Sequence, residues 1–463
     1  MKKLFAVALA LVLSVGIFAG CNASGTSSSA PVSTSAPAAS SSASPSDDPT
    51  QMTAEITWWA FPTFGQENAD DPAGTYEQKI IEAFNEKYPN IKVNLETIDF
   101  TSGPDAITAA IEGNAAPDVL FDAPGRIIEY GNAGNLVPLD DMIESLKSDI
   151  ASESLLETCV GADGSYYMYP ISSSPFYMGL NKEALEEANA LQYVNLEGDR
   201  TWTTENFVKM CEALRDAGVT TVPGIVYCGG QGGDQGTRAL INNLYGGTFT
   251  SADHSAYTWN DPENIQALEL LKGMDGIDFD ASLQGGDEIV KFYQGILKMA
   301  FCWNIAQQLD PNAAGTGAEK TITGEDIAFM SFPSETGESK LCGGIWGFGI
   351  FDNGDAAKIE AAKTFIKYFC DSEHTADAVK AANYFAVRDT AEGTDLSGIW
   401  ADNAIMAEYN KLMPYLGDYY QVTGGWAQAR TSWWNMLQDI GEGADIASTV
   451  DTFMAEANAA ING

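Results

Sequence analysis

Apolar and polar positions divide this chain into three stretches. Leu4 to Phe18 form an almost unbroken apolar run behind Lys2 and Lys3, closing on Ala19-Gly20-Cys21. Residues 22 to 52 are dominated by Ser, Ala, Pro and Thr and show no apolar period. From Glu55 the pattern becomes that of a folded body. Glu55-Ile56-Thr57-Trp58-Trp59-Ala60-Phe61 predicts a buried strand ended by Pro62. Tyr76, Ile80, Phe84 and Tyr88 recur four apart and predict one face of a helix, with Thr75 and Gln78 as its capping box. Ile91, Val93 and Leu95 alternate with Lys92, Asn94 and Glu96, the period of a half-buried strand. A helix from about Pro104 to Glu112 and a short strand at Val119-Leu120-Phe121 come next.

The alternation returns further on. Phe207, Met210, Cys211 and Leu214 have helical spacing behind Thr203-Thr204. Asp261 and Pro262 start another helix, and Ile359, Ala362, Phe365 and Phe369 mark a third. Strands alternating with helices predict parallel sheets covered on both faces. The body of about 410 residues fits two or three domains. Two α/β lobes, each a mainly parallel sheet flanked by helices, account for that length better than one oversized sheet.

The first stretch has a basic start, an apolar centre and a small-residue end, the make-up of a secretory signal; a membrane-spanning helix needs about 20 apolar residues. Residues 1–20 read as a signal peptide. Ala19-Gly20-Cys21 resembles a bacterial lipobox, which implies cleavage before Cys21 and acylation of its thiol by a fatty acid such as palmitate. Residues 21–52 then form a disordered leash, because they cannot bury enough apolar surface to offset their ordering entropy. The body is expected at the extracellular face of the cell membrane, held by lipid alone.

Charge and composition narrow the function. The chain carries 64 acids and 24 bases, a formal net charge of −40. Loss of Lys2 and Lys3 with the signal leaves 22 bases, or −42. Nucleic-acid binding needs a basic footprint and is excluded. The acids are scattered and read as a solvated surface. Besides Cys21, the cysteines at 159, 211, 228, 302, 342 and 370 have no CxxC or metal-knuckle spacing and read as mostly free, buried thiols. His254 and His374 are the only histidines, far apart, so histidine metal sites and Ser-His-Asp chemistry are hard to build. Asp278, Asp280 and Ser282 fail as a calcium loop at Leu283 and Ile289. Gly229 to Gly233 lack the residues of a phosphate loop. Asp140-Asp141 are adjacent acids that could pass for a catalytic pair. No metal or cofactor is implied.

A series of patches, in order, resembles one family. These are the first strand with Trp58 and Trp59; Phe84-Asn85-Glu86-Lys87-Tyr88-Pro89-Asn90-Ile91-Lys92-Val93; Ala116-Pro117-Asp118-Val119; and Tyr130-Gly131-Asn132-Ala133-Gly134-Asn135-Leu136-Val137-Pro138-Leu139. Asp163-Gly164-Ser165-Tyr166-Tyr167-Met168-Tyr169-Pro170-Ile171 resembles a hairpin and first hinge strand. Asn181-Lys182, Thr201-Trp202-Thr203, Phe292-Tyr293-Gln294-Gly295, Met299-Ala300-Phe301-Cys302-Trp303 and the second hinge Gly343-Gly344-Ile345-Trp346-Gly347 complete the series. The chain resembles, from Glu55 to Asn462, the family 1 extracellular solute-binding proteins of carbohydrate ABC importers, the group that includes maltose-binding protein.

The resemblance implies a type II periplasmic-binding-protein-like fold, with one lobe at 53–170 plus 346–388, the other at 171–345 plus 389–463, and a hinge between. It implies a monomer without enzymatic activity that captures an oligosaccharide and delivers it to the transmembrane permease subunits. It also implies that Asp140-Asp141, after Pro138-Leu139, are a helix cap instead of a catalytic pair. A sugar cleft needs aromatic faces for C–H surfaces and planar polar groups for hydroxyls. Trp303 and Trp426 match positions that stack on sugar in the family, and Trp59 and Phe61 sit where it contacts ligand. Asp122 and Arg126 fall where it places hydroxyl-binding groups; a strand-end salt bridge is the other reading. Trp346 and Arg388 are further candidates. Ser172-Ser173-Ser174 stand where the family often carries an acid, so Ser174 joins the site and a maltodextrin specificity does not carry over.

Two other functions remain open. A secreted glycoside hydrolase needs two carboxylates roughly 5 to 10 Å apart across a cleft, and no acid here sits in an assignable motif. A binder of cationic ligands such as polyamines is what charge alone favours. For the tether, Cys21→Ala is expected to abolish labelling by radioactive fatty acid and to release the protein from the membrane fraction. Full retention of label would refute lipid anchoring.

Overall fold

The first strand is buried on both sides, as its near-continuous apolar sequence requires. Ile56, Trp58 and Ala60 enter one core while Trp59 packs on another. This arrangement comes from a computed structural model that describes residues 48–65, 71–100, 102–151, 154–220, 222–230, 234–283, 287–304, 320–342, 344–418 and 422–461. Cys21, the leash up to residue 47, Asp70, Gly343 and residues 231–233 lie outside the described residues, while the leash's last residues include a turn of 3-10 helix at Pro49–Gln51.

Twelve strands matter for the site: β1 Ala54–Ala60, β2 Ile91–Thr97, β3 Val119–Asp122, β4 Tyr169–Ser173, β5 Phe176–Asn181, β6 Gly224–Tyr227, β7 Ile277–Asp280, β8 Met299–Asn304, β9 Ile327–Met330, β10 Leu341–Cys342, β11 Ile345–Ile350 and β12 Phe385–Ala386. One sheet has the order β12-β4-β11-β3-β1-β2. One of its faces is covered by the helices Thr75–Lys87, Asp140–Leu146 and Ala356–Asp371. The helices Gly103–Glu112 and Pro124–Asn132 cover the other. A second group contains β5 between β8 and β9, and β6 beside β7. Its core draws on the helices Thr204–Asp216, Asp234–Tyr245, Pro262–Gly273 and Trp426–Gly441.

The predicted parallel sheets are in fact mixed. β1 runs parallel to β2 and β3, yet β11 is antiparallel to β3 and β4, and β12 to β4. β5 is antiparallel to both neighbours, while β6 and β7 are parallel. Strands joined by a covering helix stay parallel. β11 enters from the other sheet instead, so no crossover helix constrains its direction. The chain passes between sheets after β4 and again between β10 and β11.

Local chemistry departs from expectation in three places. The helix at Thr75 is capped by Gly74, at φ +89°, with no side-chain cap bond; the Thr75 hydroxyl instead donates to Pro72 O at 2.6 Å. A Cβ at Gly74 would lie 2.9 Å from Thr97 Cγ2, so glycine is demanded twice over. Leu139 caps the following helix, leaving Asp140 and Asp141 in its first turn, where negative charge faces the positive helix end. Asp261 occupies its predicted cap but its carboxylate is drawn to Thr248, accepting from Oγ1 at 2.5 Å.

The six cysteines among the described residues are buried and unbridged. Among the described residues no helix is long and apolar enough to cross a membrane.

The helix Thr75–Lys87 also buries Glu77, which the apolar period does not reveal. Glu77 is 1% exposed, and neither carboxylate oxygen has a hydrogen-bond partner. Burial raises its pKa from 4.5 to about 7. A raised folded pKa means the stabilising state is the protonated one. Its advantage is complete below pH 4.5 and is lost as pH rises through about 7. Glu77→Gln is therefore expected to match the parent stability near pH 4 and exceed it by about 3 kcal/mol above pH 7, read from denaturant melts. A gain independent of pH would contradict a neutral buried Glu77.

Candidate binding cleft

In the parallel part of the first sheet, the carboxyl ends of strands gather side chains on a shared rim, where open α/β sheets place ligands. Phe61, just past β1, stacks on Phe100, just past β2, with ring centroids 5.0 Å apart and planes 11° apart. Phe100 meets the edge of Trp346 on β11 at 6.0 Å. Trp346 lies flat against Phe121 of β3 at 5.8 Å and against Tyr384, before β12, at 6.3 Å. Phe100 is 48% exposed, while Trp59 and Trp346 are half-buried. The result is a partly open aromatic wall.

Polar groups flank it. The Asp122 carboxylate, buried at the end of β3, accepts from Arg126 Nε at 2.6 Å and Nη2 at 2.5 Å. The Arg126 guanidinium also stands 4.8 Å above the Phe61 ring. Burial alone would lower the pKa of Arg126, but Asp122 holds it above its usual value. The salt-bridge reading of this pair is thus realised, at the edge of the aromatic wall. Ser174, buried after β4, accepts at its hydroxyl from the Asn304 side-chain amide and also bonds to Tyr384.

A second cluster faces it. Asp234 opens the helix Asp234–Tyr245 and is fully buried. Its carboxylate accepts from Arg430 at 2.8 and 2.7 Å and from Arg238 at 2.6 Å. Burial pushes the Asp234 carboxyl up, but the two guanidiniums hold it well below the ordinary range. The same guanidiniums lie 5.0 and 6.0 Å from the Trp426 ring. The two clusters belong together: the Asp234 charge acts on Arg126, and the helix Pro124–Asn132 packs against the helix Trp426–Gly441.

The structure thus brings Trp59, Phe61, Asp122, Arg126, Ser174 and Trp346 together along one rim, while Trp426 sits on the facing arginine cluster, itself only 4% exposed. It separates two candidates from them. Trp303 is fully buried, its indole N–H donating to the Tyr409 hydroxyl at 2.7 Å and its ring packed on Phe292 and Tyr293. An indole so enclosed shows no face to a cleft. Arg388 binds Asp149 at 2.8 Å and Asp371, and borders a different cavity behind β4.

Phe100, Tyr384, Asn304, Asp234, Arg238 and Arg430 escape sequence reasoning. Three had a signal: Arg430 lies four residues after Trp426, on the same helix face, and Asp234 and Arg238 have the same spacing. Among the described residues no cluster of acids, cysteines and histidines is arranged to hold a metal.

The family model of the bacterial extracellular solute-binding proteins matches residues 68–375, and the chain belongs to that family. Its fold is the two-lobe fold of these binding proteins. An ABC transporter solute-binding protein of Thermotoga lettingae bound to α-D-tagatose is 17% identical, covering 88% of this chain and 99% of its own, with a TM-score of 0.68. UgpB of Mycobacterium tuberculosis with glycerophosphocholine is 19% identical over 89% and 99%, TM-score 0.66. The maltodextrin-binding MalE domain of Bdellovibrio bacteriovorus with maltotriose is 15% identical over 89% and 100%, TM-score 0.63. No curated protein matches the sequence.

The placement of Trp303 can be checked by stability. Trp303→Ala is expected to cost about 3–5 kcal/mol, as for other large core truncations, whereas Phe100→Ala should stay within about 0.5 kcal/mol. Equal melting temperatures for both variants would return Trp303 to the cleft.

Proposed function

We propose that the protein is the extracellular binding component of an ABC sugar importer, capturing an oligosaccharide between two lobes and passing it to the permease. The observation that carries this reading is the pairing of an open aromatic wall with fixed carboxylate–guanidinium pairs. Aromatic faces cover the C–H surfaces of a sugar. Carboxylates and guanidiniums locked to each other still offer spare lone pairs and N–H groups to hydroxyls. Family membership and the ligands bound in the related structures support the same class.

We place the lobes at 53–170 plus 346–388 and at 171–345 plus 389–463, supported by the sheet membership of β4, β5 and β11. The protein acts as a monomer, tethered outside the cell by acylated Cys21. It performs no chemistry. The two acids central to the cleft are engaged by arginine, and Asp234 is held below the usual carboxylate range. A general acid needs the opposite environment, one that raises its pKa toward the working pH.

Calorimetry against a panel of neutral oligosaccharides, with polyamines alongside, tests the reading. A saturable sugar interaction is expected. Phe100→Ala and Trp426→Ala should each weaken it by roughly 2–4 kcal/mol, with circular dichroism unchanged for Phe100→Ala. Polyamine binding without sugar binding would overturn the proposal, and so would hydrolysis of a labelled oligosaccharide by the purified protein.

A further inference from the structure

Successive residues of β4 look to opposite sides of the sheet. Ser172 pairs with Trp346 and so shares that residue's side of the sheet. Ser173 pairs with Ile345 and Phe385 and shares theirs. On that second side lies a cavity of about 530 Å3, bounded by Ser173 and Phe385 and closed across by the segment 396–416. None of the aromatic-wall residues borders it.

Its lining is about evenly apolar and polar, the surface an amphipathic small molecule needs. Leu396, Trp400 and Met413 supply apolar surface. Trp400 is fixed in place by its indole N–H, which donates to Tyr384 O at 2.7 Å. The Ser173 hydroxyl is buried and has no hydrogen-bond partner. A serine hydroxyl reorients among staggered rotamers at small cost, so a ligand atom at the cavity wall can complete it. A buried hydroxyl left unpaired otherwise carries a penalty. The charged groups of the wall are Arg388 and the solvent-exposed Asp389. The Arg388 guanidinium at the wall is taken up by Asp149 and Asp371, so it attracts no further anion strongly.

We propose that this cavity is a second binding site, distinct from the aromatic cleft, for an uncharged amphipathic small molecule. Its ring lies against Trp400, Leu396 and Met413, and its hydroxyl or carbonyl meets Ser173. The site does not depend on what the cleft binds.

Calorimetric titration of the full chain with 2-naphthol and with naphthalene tests this, since the two probes differ by one hydroxyl. Saturable one-to-one binding of 2-naphthol is expected. Ser173→Ala should weaken 2-naphthol roughly three- to tenfold, the worth of one hydrogen bond, and leave naphthalene unchanged. Ala407→Phe grows a side chain from an exposed wall position into the cavity and should abolish binding of both probes. Phe100→Ala, on the aromatic wall, should change neither. Absence of saturable binding overturns the proposal. So does 2-naphthol binding that survives Ala407→Phe, or that is lost in Phe100→Ala.

Discussion

A hydrogen bond from Ser174 N–H to Gly344 O, 2.7 Å long, fastens two of the chain's passages between sheets to each other. It tolerates no side chain at residue 344: a Cβ there would lie 2.4 Å from Ser174 O. Gly347 repeats the constraint three residues further on, with Tyr169 O 2.4 Å from where its Cβ would be. β4 and β11 therefore meet backbone to backbone, and that contact aims the segment leaving each strand. Asn304 at the end of β8 and Tyr384 before β12 both reach the Ser174 hydroxyl. A small hydroxyl residue at this junction lets elements from four distant stretches converge. A larger acid would need room and a countercharge.

The charge inside the cleft runs against the charge outside. The chain carries 64 acids and only 24 bases, yet Arg126, Arg238 and Arg430 are gathered around two aspartates. Buried ion pairs of this kind seldom increase stability, because desolvation offsets the Coulomb gain. Their value is geometric. Arg430 is gripped by both oxygens of Asp234, and the Trp426 ring lies 6.0 Å from that guanidinium and 5.0 Å from that of Arg238. A planar guanidinium held at two points cannot swing. The arginines thus present fixed donors, which a flexible lysine would not.

Much of the fold is written locally. β1 is legible because five of its seven residues are apolar and none is a turn former, and the helix Ala356–Asp371 because its apolar residues keep one period. The start of the helix at Thr75 is not, since the Thr75–Gln78 pattern is present but Gly74 takes the cap. Glu77 is invisible for a related reason: polarity predicts exposure, and tertiary packing overrides it. The site is legible by half. Trp59, Phe61, Asp122 and Arg126 follow strand ends, where ligands gather. Trp303 shows the other half, since a tryptophan's type does not tell which side of a strand faces the core. Phe100, Trp346 and Tyr384 touch only because β2, β11 and β12 share a sheet, a fact no spacing contains.

Division of the site into two clusters sets how closure responds to a ligand. Arg126 is already satisfied by Asp122, and Asp234 by Arg238 and Arg430. Attraction across the gap is therefore largely between paired charges, and it falls off more steeply than that of single ions in a screening solvent. Direct lobe-to-lobe attraction is too weak to hold the cleft shut by itself. A ligand shifts a conformational balance only by its difference in affinity for the two states. For the sugar proposed above, that difference arises from touching both clusters at once, since each carries aromatic surface and charged groups of its own.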